Sequence, residues 1–137
     1  MKARSAKSKG SRLEELVAHR LKELLGPYGI EAKRTVMSGA TDWWKGDIWT
    51  NLPISFECKN QEKVKLWEWW KQTRDECTIG KMPVLVISRN YNKEPIVVLS
   101  FEDLLFLMET SILGGWVDIH RKGKKNWKKD KNIHDIS

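Results

Sequence analysis

The sequence predicts an α/β domain built on a mixed, mostly antiparallel five-stranded sheet flanked by helices on both faces. Three observations predict it. Apolar residues recur at helical spacing in the leading segment, short runs rich in strand formers follow, and a helical stripe separates two of those runs as a strand-helix-strand unit. Each element can be justified in turn. From Ser11 to Leu25, the residues Leu13, Leu16, Val17, Leu21, Leu24 and Leu25 make one helical stripe, and Gly26 with Pro27 ends it. Ile30 to Met37 reads as a strand entering the loop at Ser38 to Thr41. Gly46 to Thr50 and Ile54 to Lys59 are two further strands joined by a turn at Asn51, Leu52 and Pro53, which makes an antiparallel meander. Leu66 to Cys77 places Leu66, Trp69, Trp70, Thr73 and Cys77 on one helical stripe, and Gly80 stops it before a buried strand, Val84 to Ser88. Ile96 to Leu99 is the last strand. Ser100, three residues before Asp103, is placed as the N-cap of a helix from Phe101 to Thr110.

Composition bounds the class of partner. The chain has 137 residues, 40% of them apolar, which is the size of one ordinary domain able to enclose a core without staples. Its 25 Lys and Arg against 18 Asp and Glu give a net charge of +7, which favours a polyanionic partner, nucleic acid first, over an acidic small molecule. Cys58 and Cys77 form neither a disulfide framework nor a CxxC metal motif, and His19, His120 and His134 show no zinc spacing. No apolar run approaches the length of a membrane span, and the basic start lacks the apolar stretch of a secretory signal. A soluble, reduced, cytoplasmic protein without a membrane partner is expected. Residues 1–10 are expected to be a flexible basic arm, 11–118 the folded domain, and 119–137 a lysine-rich flexible tail.

The chemistry concentrates in Ile54-Ser55-Phe56-Glu57-Cys58-Lys59. Successive side chains of a strand point to opposite faces, so Ser55, Glu57 and Lys59 share one side and Ile54, Phe56 and Cys58 the other. Asp47 opens the preceding strand, where pairing across the turn would bring its carboxylate beside Glu57. Mg²⁺ takes oxygen ligands, typically one or two protein carboxylates with several waters, and Asp47 and Glu57 meet that requirement, with Mn²⁺ as a substitute. Lys59 would stand beside the reacting phosphate, orienting or deprotonating the attacking water, and the reaction would be phosphodiester hydrolysis. The same charges also suit a solvated strand face, in which case the protein is a non-catalytic nucleic-acid binder.

With these motifs placed, the chain resembles the PD-(D/E)XK nuclease superfamily, and within it the archaeal-type Holliday junction resolvases and their phage relatives. Lys9-Gly10 followed by Glu14 resembles that family's start, Ser38-Gly39 its small-residue loop, and Gly46-Asp47-Ile48 its metal-binding aspartate. Phe56-Glu57-Cys58-Lys59 resembles its catalytic strand, and Lys81 to Val86 the strand beyond the helix. The resemblance covers about residues 9 to 90; the Asp42-Trp43-Trp44 loop, the tryptophan-rich helix and the lysine tail depart from it. It implies a restriction-endonuclease-like core, with Glu14, Asp47, Glu57 and Lys59 catalytic and Glu14 joining Asp47 and Glu57 at the metal. It further implies a homodimer that resolves four-way DNA junctions by paired symmetric nicks. A nicking, repair or restriction-type endonuclease is the alternative within the same fold.

Helical phase separates Glu14 from its neighbour. At ~100° per residue, Glu14 lies roughly 70° from the centre of the apolar stripe and Glu15 roughly 165°, so Glu14 borders the packed face while Glu15 faces water. An ordinary first-turn glutamate favoured by the helix dipole is the competing reading of Glu14. Ser38 suits a phosphate contact or simply the loop. Gln72 is a candidate for a metal-bound water or the DNA backbone, and Trp43 and Trp44 for stacking on bases or for the core. Lys9 at one end and Lys124 and Lys125 at the other suit phosphate contacts. Trp67, Trp69 and Trp70 cover more than one face of their helix and are candidates for a dimer interface.

Overall fold

The computed structural model describes residues 6–35, 46–89 and 94–114. The chain divides into two compact units, Met1–Leu99 and Ser100–Ser137. The first holds helix α1 (Ala6–Leu25), strands β1 (Ala32–Arg34), β2 (Ile48–Thr50) and β3 (Ile54–Asn60), helix α2 (Leu66–Asp75), and strands β4 (Met82–Ser88) and β5 (Ile96–Val98). The second holds helix α3 (Phe101–Leu113).

The sheet runs β1-β2-β3-β4-β5 in space as in sequence. All neighbours are antiparallel except β3 and β4, which pair in parallel from Ile54↔Met82 to Asn60↔Ser88. That exception follows from α2: a helix carried between two strands lets the second return in the direction of the first, whereas tight turns reverse it. The expected fold, a mixed and mostly antiparallel five-stranded sheet with helices, is the one observed.

Alternation along β3 and β4 then builds two cores. On one face, Leu13 and Ala18 of α1 bury against Ala32, Ile48, Phe56, Cys58, Val84 and Val86. On the other, Trp69 of α2 buries against Leu85 and Ile87, with Leu66, Trp70 and Val98 partly buried beside them. Because β3 is central and covered on both sides, its polar residues Ser55 and Glu57 are buried as well.

Local chemistry fixes the turns. After α1, Pro27 opens a 3-10 turn, and Gly29 closes it at φ 86°, a left-handed conformation that a side chain would strain, while its N–H donates to Gly26 O at 2.9 Å. Asn51, in the β2–β3 turn, accepts from Glu31 N–H at 2.8 Å and donates to Gly29 O at 3.0 Å, pinning that turn to the start of β1. Gly80, at φ 81°, precedes β4. Ser100 caps α3 as the sequence predicts, its hydroxyl accepting the Asp103 N–H at 3.1 Å.

Several boundaries differ from expectation. The first helix begins at Ala6, not Ser11, since nothing in Ala6 to Gly10 stops a helix outright. The α2 helix stops at Asp75 and α3 continues to Leu113. Leu16 and Leu24, counted in the α1 stripe, are exposed, whereas Ala18 is buried. The buried side of α1 carries Leu13 and Ala18, with Val17 and Leu21 partly buried beside them. Leu16 and Leu24 instead line an apolar groove of about 390 Å³ with Leu21, Phe56, Val86 and Val97.

Candidate active site

The site begins with register. The pair Ile48↔Phe56 fixes β2 against β3, and the same antiparallel count sets Asp47 across from Glu57. Backbone bonds hold Asp47 from both sides: its N–H donates to Phe56 O at 2.9 Å, and its carbonyl accepts the Thr35 N–H at 3.0 Å. Its side chain bends to the β3 backbone, where Oδ2 accepts the Cys58 N–H at 2.8 Å. The aspartate is therefore tied to the strand that carries Glu57 and Lys59.

Asp47 and Glu57 are hydrogen-bonded through their carboxyl groups. Two carboxylates cannot be ionised side by side away from water, so one keeps a proton. Burial is the first cause and the Asp47 charge the second, and together they push Glu57 up to about 9. Burial also raises Asp47, offset by the Cys58 N–H, by the Glu57 hydrogen bond and by the Lys59 charge. Lys59 thus acts on both carboxyls as the favourable cation. Glu76, just past the end of α2, acts on both with the opposite sign. Cys58, on the other face of β3, is buried beside these acids and its thiol is raised well above the usual range, so it is an inert core residue.

Glu14 stands on the edge of this centre. Its carboxyl is raised first by burial and then by the Asp47 charge, and lowered by its bond to Arg34. Glu14 is half-buried and Glu15 exposed, as their helical phase predicts. Gln72 is partly buried and donates to Glu76 Oε2 at 3.3 Å, which links it to an acid whose charge acts on both members of the pair. Ser38, Trp43, Trp44, Lys124, Lys125 and the side chain of Lys9 lie outside the described residues. Of the α2 tryptophans, Trp69 is core, Trp70 is partly buried and Trp67 is 78% exposed.

Sequence reading missed three contributors. Arg34 closes β1 and reaches the middle of α1, and its only signal is a basic residue at the end of a strand beside a loop. Glu76 belongs to a helix end that reads as solvated surface. Lys33 stands 5.4 Å from the ring centroid of its register partner Trp49, on the sheet face that Ser55 and Glu57 also occupy by alternation. The pair gives that face a cationic and aromatic rim suited to a phosphate backbone.

Among the described residues no group of three or more His, Cys, Asp or Glu side chains is placed to hold a metal ion. The acidic pair nevertheless fits a hard divalent cation, which commonly takes only one or two protein carboxylates. The observation behind that fit is two carboxyl groups brought side by side by strand register, with Asp47 fixed by the Cys58 N–H, so that a cation would offset negative charge concentrated there. No helix among the described residues is long and apolar enough to cross a membrane.

A central strand carrying Glu57 and Lys59, an aspartate held against it from the neighbouring strand, and a mixed sheet between helices define a PD-(D/E)XK nuclease core. The family model described as "Phage putative PDDEXK endonuclease" matches residues 5–135, and the chain belongs to that family. No curated protein and no solved structure was matched by the chain. Nucleases of this type generally use divalent metal ions, and the pair Asp47 and Glu57 is where this chain would hold one.

Proposed function

We propose that the chain is a Mg²⁺-dependent, structure-selective DNA endonuclease that resolves four-way junctions as a homodimer. The observation that supports it most is the pairing of half-buried Asp47 with buried Glu57, with Lys59 on the same strand as Glu57, in a chain whose net charge of +7 favours a polyanion. A bound Mg²⁺ would supply an activated water and offset charge on the scissile phosphate. The chain's own residues do the rest. Asp47 and Glu57 present fixed oxygens, with Asp47 locked by the Cys58 N–H. Lys59 brings a positive charge to the same place, where it stabilises a phosphate in transit and orients the attacking water. Lys33 over Trp49 extends the cationic rim along the sheet.

Junction selectivity rests on the resemblance to resolvases and on symmetry: two equivalent nicks call for two equivalent sites, which a two-fold dimer provides. A nicking endonuclease acting on duplex DNA is the second reading, favoured by a family description that specifies no branched substrate. One experiment separates the readings. A labelled four-way junction and a linear duplex of equal length are incubated with the protein in Mg²⁺ or EDTA at physiological salt. Paired nicks in the junction alone support resolution, equal cutting of the duplex replaces it with the nicking reading, and uncut DNA in every metal tested refutes the enzyme.

A further inference from the structure

The strongest polar cluster that the proposed chemistry leaves unused lies between the end of β1 and the middle of α1. Arg34 Nε donates to Glu14 Oε2 at 2.9 Å, Nη1 to Glu15 Oε1 at 3.2 Å and Nη2 to Ser11 Oγ at 3.2 Å. One guanidinium therefore grips three residues of one helical turn, using the fork geometry that lysine lacks. The grip is sheltered on one side: the Arg34 and Glu14 side chains are 28% and 17% exposed, while Glu15 is 65% exposed.

These contacts do something specific because of where β1 leads. Arg34 pairs with Ile48 in the sheet, and the next residue, Thr35, donates its N–H to the Asp47 carbonyl at 3.0 Å while its hydroxyl donates to Gly46 O at 2.9 Å. The strand that grips Glu14 is thus the strand that holds the Asp47 backbone. Because Arg34 pairs with Ile48, the neighbour of Asp47, its bond to Glu14 holds that carboxyl at the Asp47 end of β2, where the Asp47 charge raises the cost of ionising Glu14. Without a cation beside it, a glutamate at the rim of an acidic pair would swing to solvent. The Arg34 fork prevents that swing.

We infer that Arg34 is a positioning residue of the active site: it fixes the Glu14 carboxyl of α1 at the edge of the Asp47–Glu57 pair, where it supports a cation held by that pair. This role rests on the metal-dependent nuclease reading above. Arg34 acts through Glu14 and touches neither the metal nor the phosphate.

The test uses the full-length chain and Mn²⁺ alone as the probe, with binding followed by the loss of the free-ion spin-resonance signal and cleavage followed separately. Arg34→Gln is expected to weaken Mn²⁺ binding and slow cleavage by about tenfold or more, the scale at which residues orienting metal ligands act. DNA affinity measured in EDTA should change by less than about threefold, because the guanidinium is committed to Glu14 and not to phosphate. The double variant with Glu14→Gln should bind Mn²⁺ no worse than Glu14→Gln alone, since the clamp has nothing left to position. Arg34→Lys, which keeps the charge and loses the fork, should fall between wild type and Arg34→Gln, and it carries the test if Arg34→Gln does not fold. Wild-type Mn²⁺ binding in a folded Arg34 variant overturns the role, as does additivity in the double variant. A loss confined to DNA affinity also overturns it and makes Arg34 a phosphate contact. A wild-type chain that binds no Mn²⁺ overturns this role and the nuclease reading together, whereas the other outcomes leave that reading in place.

Discussion

Glu57→Gln in the metal-free protein tests the electrostatics of the site without relying on catalysis. In the folded chain the Glu57 carboxyl is pushed up to about 9 from an ordinary 4.5 by burial and by Asp47. Across the interval between those values, the native state binds a proton that the unfolded chain has released. Stability contributed by that proton is fully present below the unfolded value and is lost as pH rises toward the folded one. At ~1.4 kcal/mol per pH unit for one proton, the wild type should lose about 2–3 kcal/mol between pH 5.5 and 7.5 from this site. Glutamine has the shape of the protonated acid and can still donate to Asp47, but it does not titrate. Glu57→Gln should therefore be the more stable protein at pH 7.5 by about that amount, several degrees in Tm, and the gap should close toward pH 5. Urea denaturation in EDTA at three pH values, followed by tryptophan fluorescence, reads the difference directly. Adding Mn²⁺ should recover stability in the wild type and do so less in the variant, because the cation takes the place of the shared proton. Two proteins with parallel stability profiles over this range would refute the shared proton and with it the buried acidic pair.

The remaining predictions follow from the same geometry. Under the proposed function, Asp47→Ala and Lys59→Ala should each lower cleavage by ~100-fold or more while circular dichroism and DNA binding stay near wild type, since that reading puts both where charge develops on the phosphate. Glu14→Gln should slow cleavage strongly and Glu15→Gln hardly at all; equal effects in a kinetic comparison would contradict the helical phase. Leu85→Ala, at a side chain with no exposure between β4 and α2, should cost about 2–5 kcal/mol in denaturant unfolding. A thiol reagent at neutral pH should label the half-buried Cys77 well before Cys58, whose thiol is buried and raised; mass spectrometry of the labelled peptides would report the order.

Most of the fold was legible because periodicity is written residue by residue. The β3 alternation placed Glu57 and Lys59 on one face, the α2 stripe placed Trp69 and Thr73 inward, and Ser100 and Asp103 marked the start of α3. The boundaries were less legible. Ala6 to Gly10 contains no strong helix signal, and α1 extends through it because a growing helix adds residues at little cost once nucleated.

By itself, then, the sequence determined the α/β class, the strand that carries Glu57 and Lys59 on one face with Asp47 across from it, and the net charge of +7. These are properties of spacing and composition, and neighbouring residues carry them without reference to distant parts of the chain. Tertiary structure alone decided that the Asp47 and Glu57 carboxyls are raised, because that depends on how much water reaches two groups brought together by strand register. It also decided that Arg34 grips Glu14 across 20 positions of sequence, and that Glu76 adds its charge from the far end of α2. Local pattern fixes which face a side chain takes. Which other side chains meet it there, and what their charges do to one another at that distance and dielectric, is settled only when the sheet and its helices close around them.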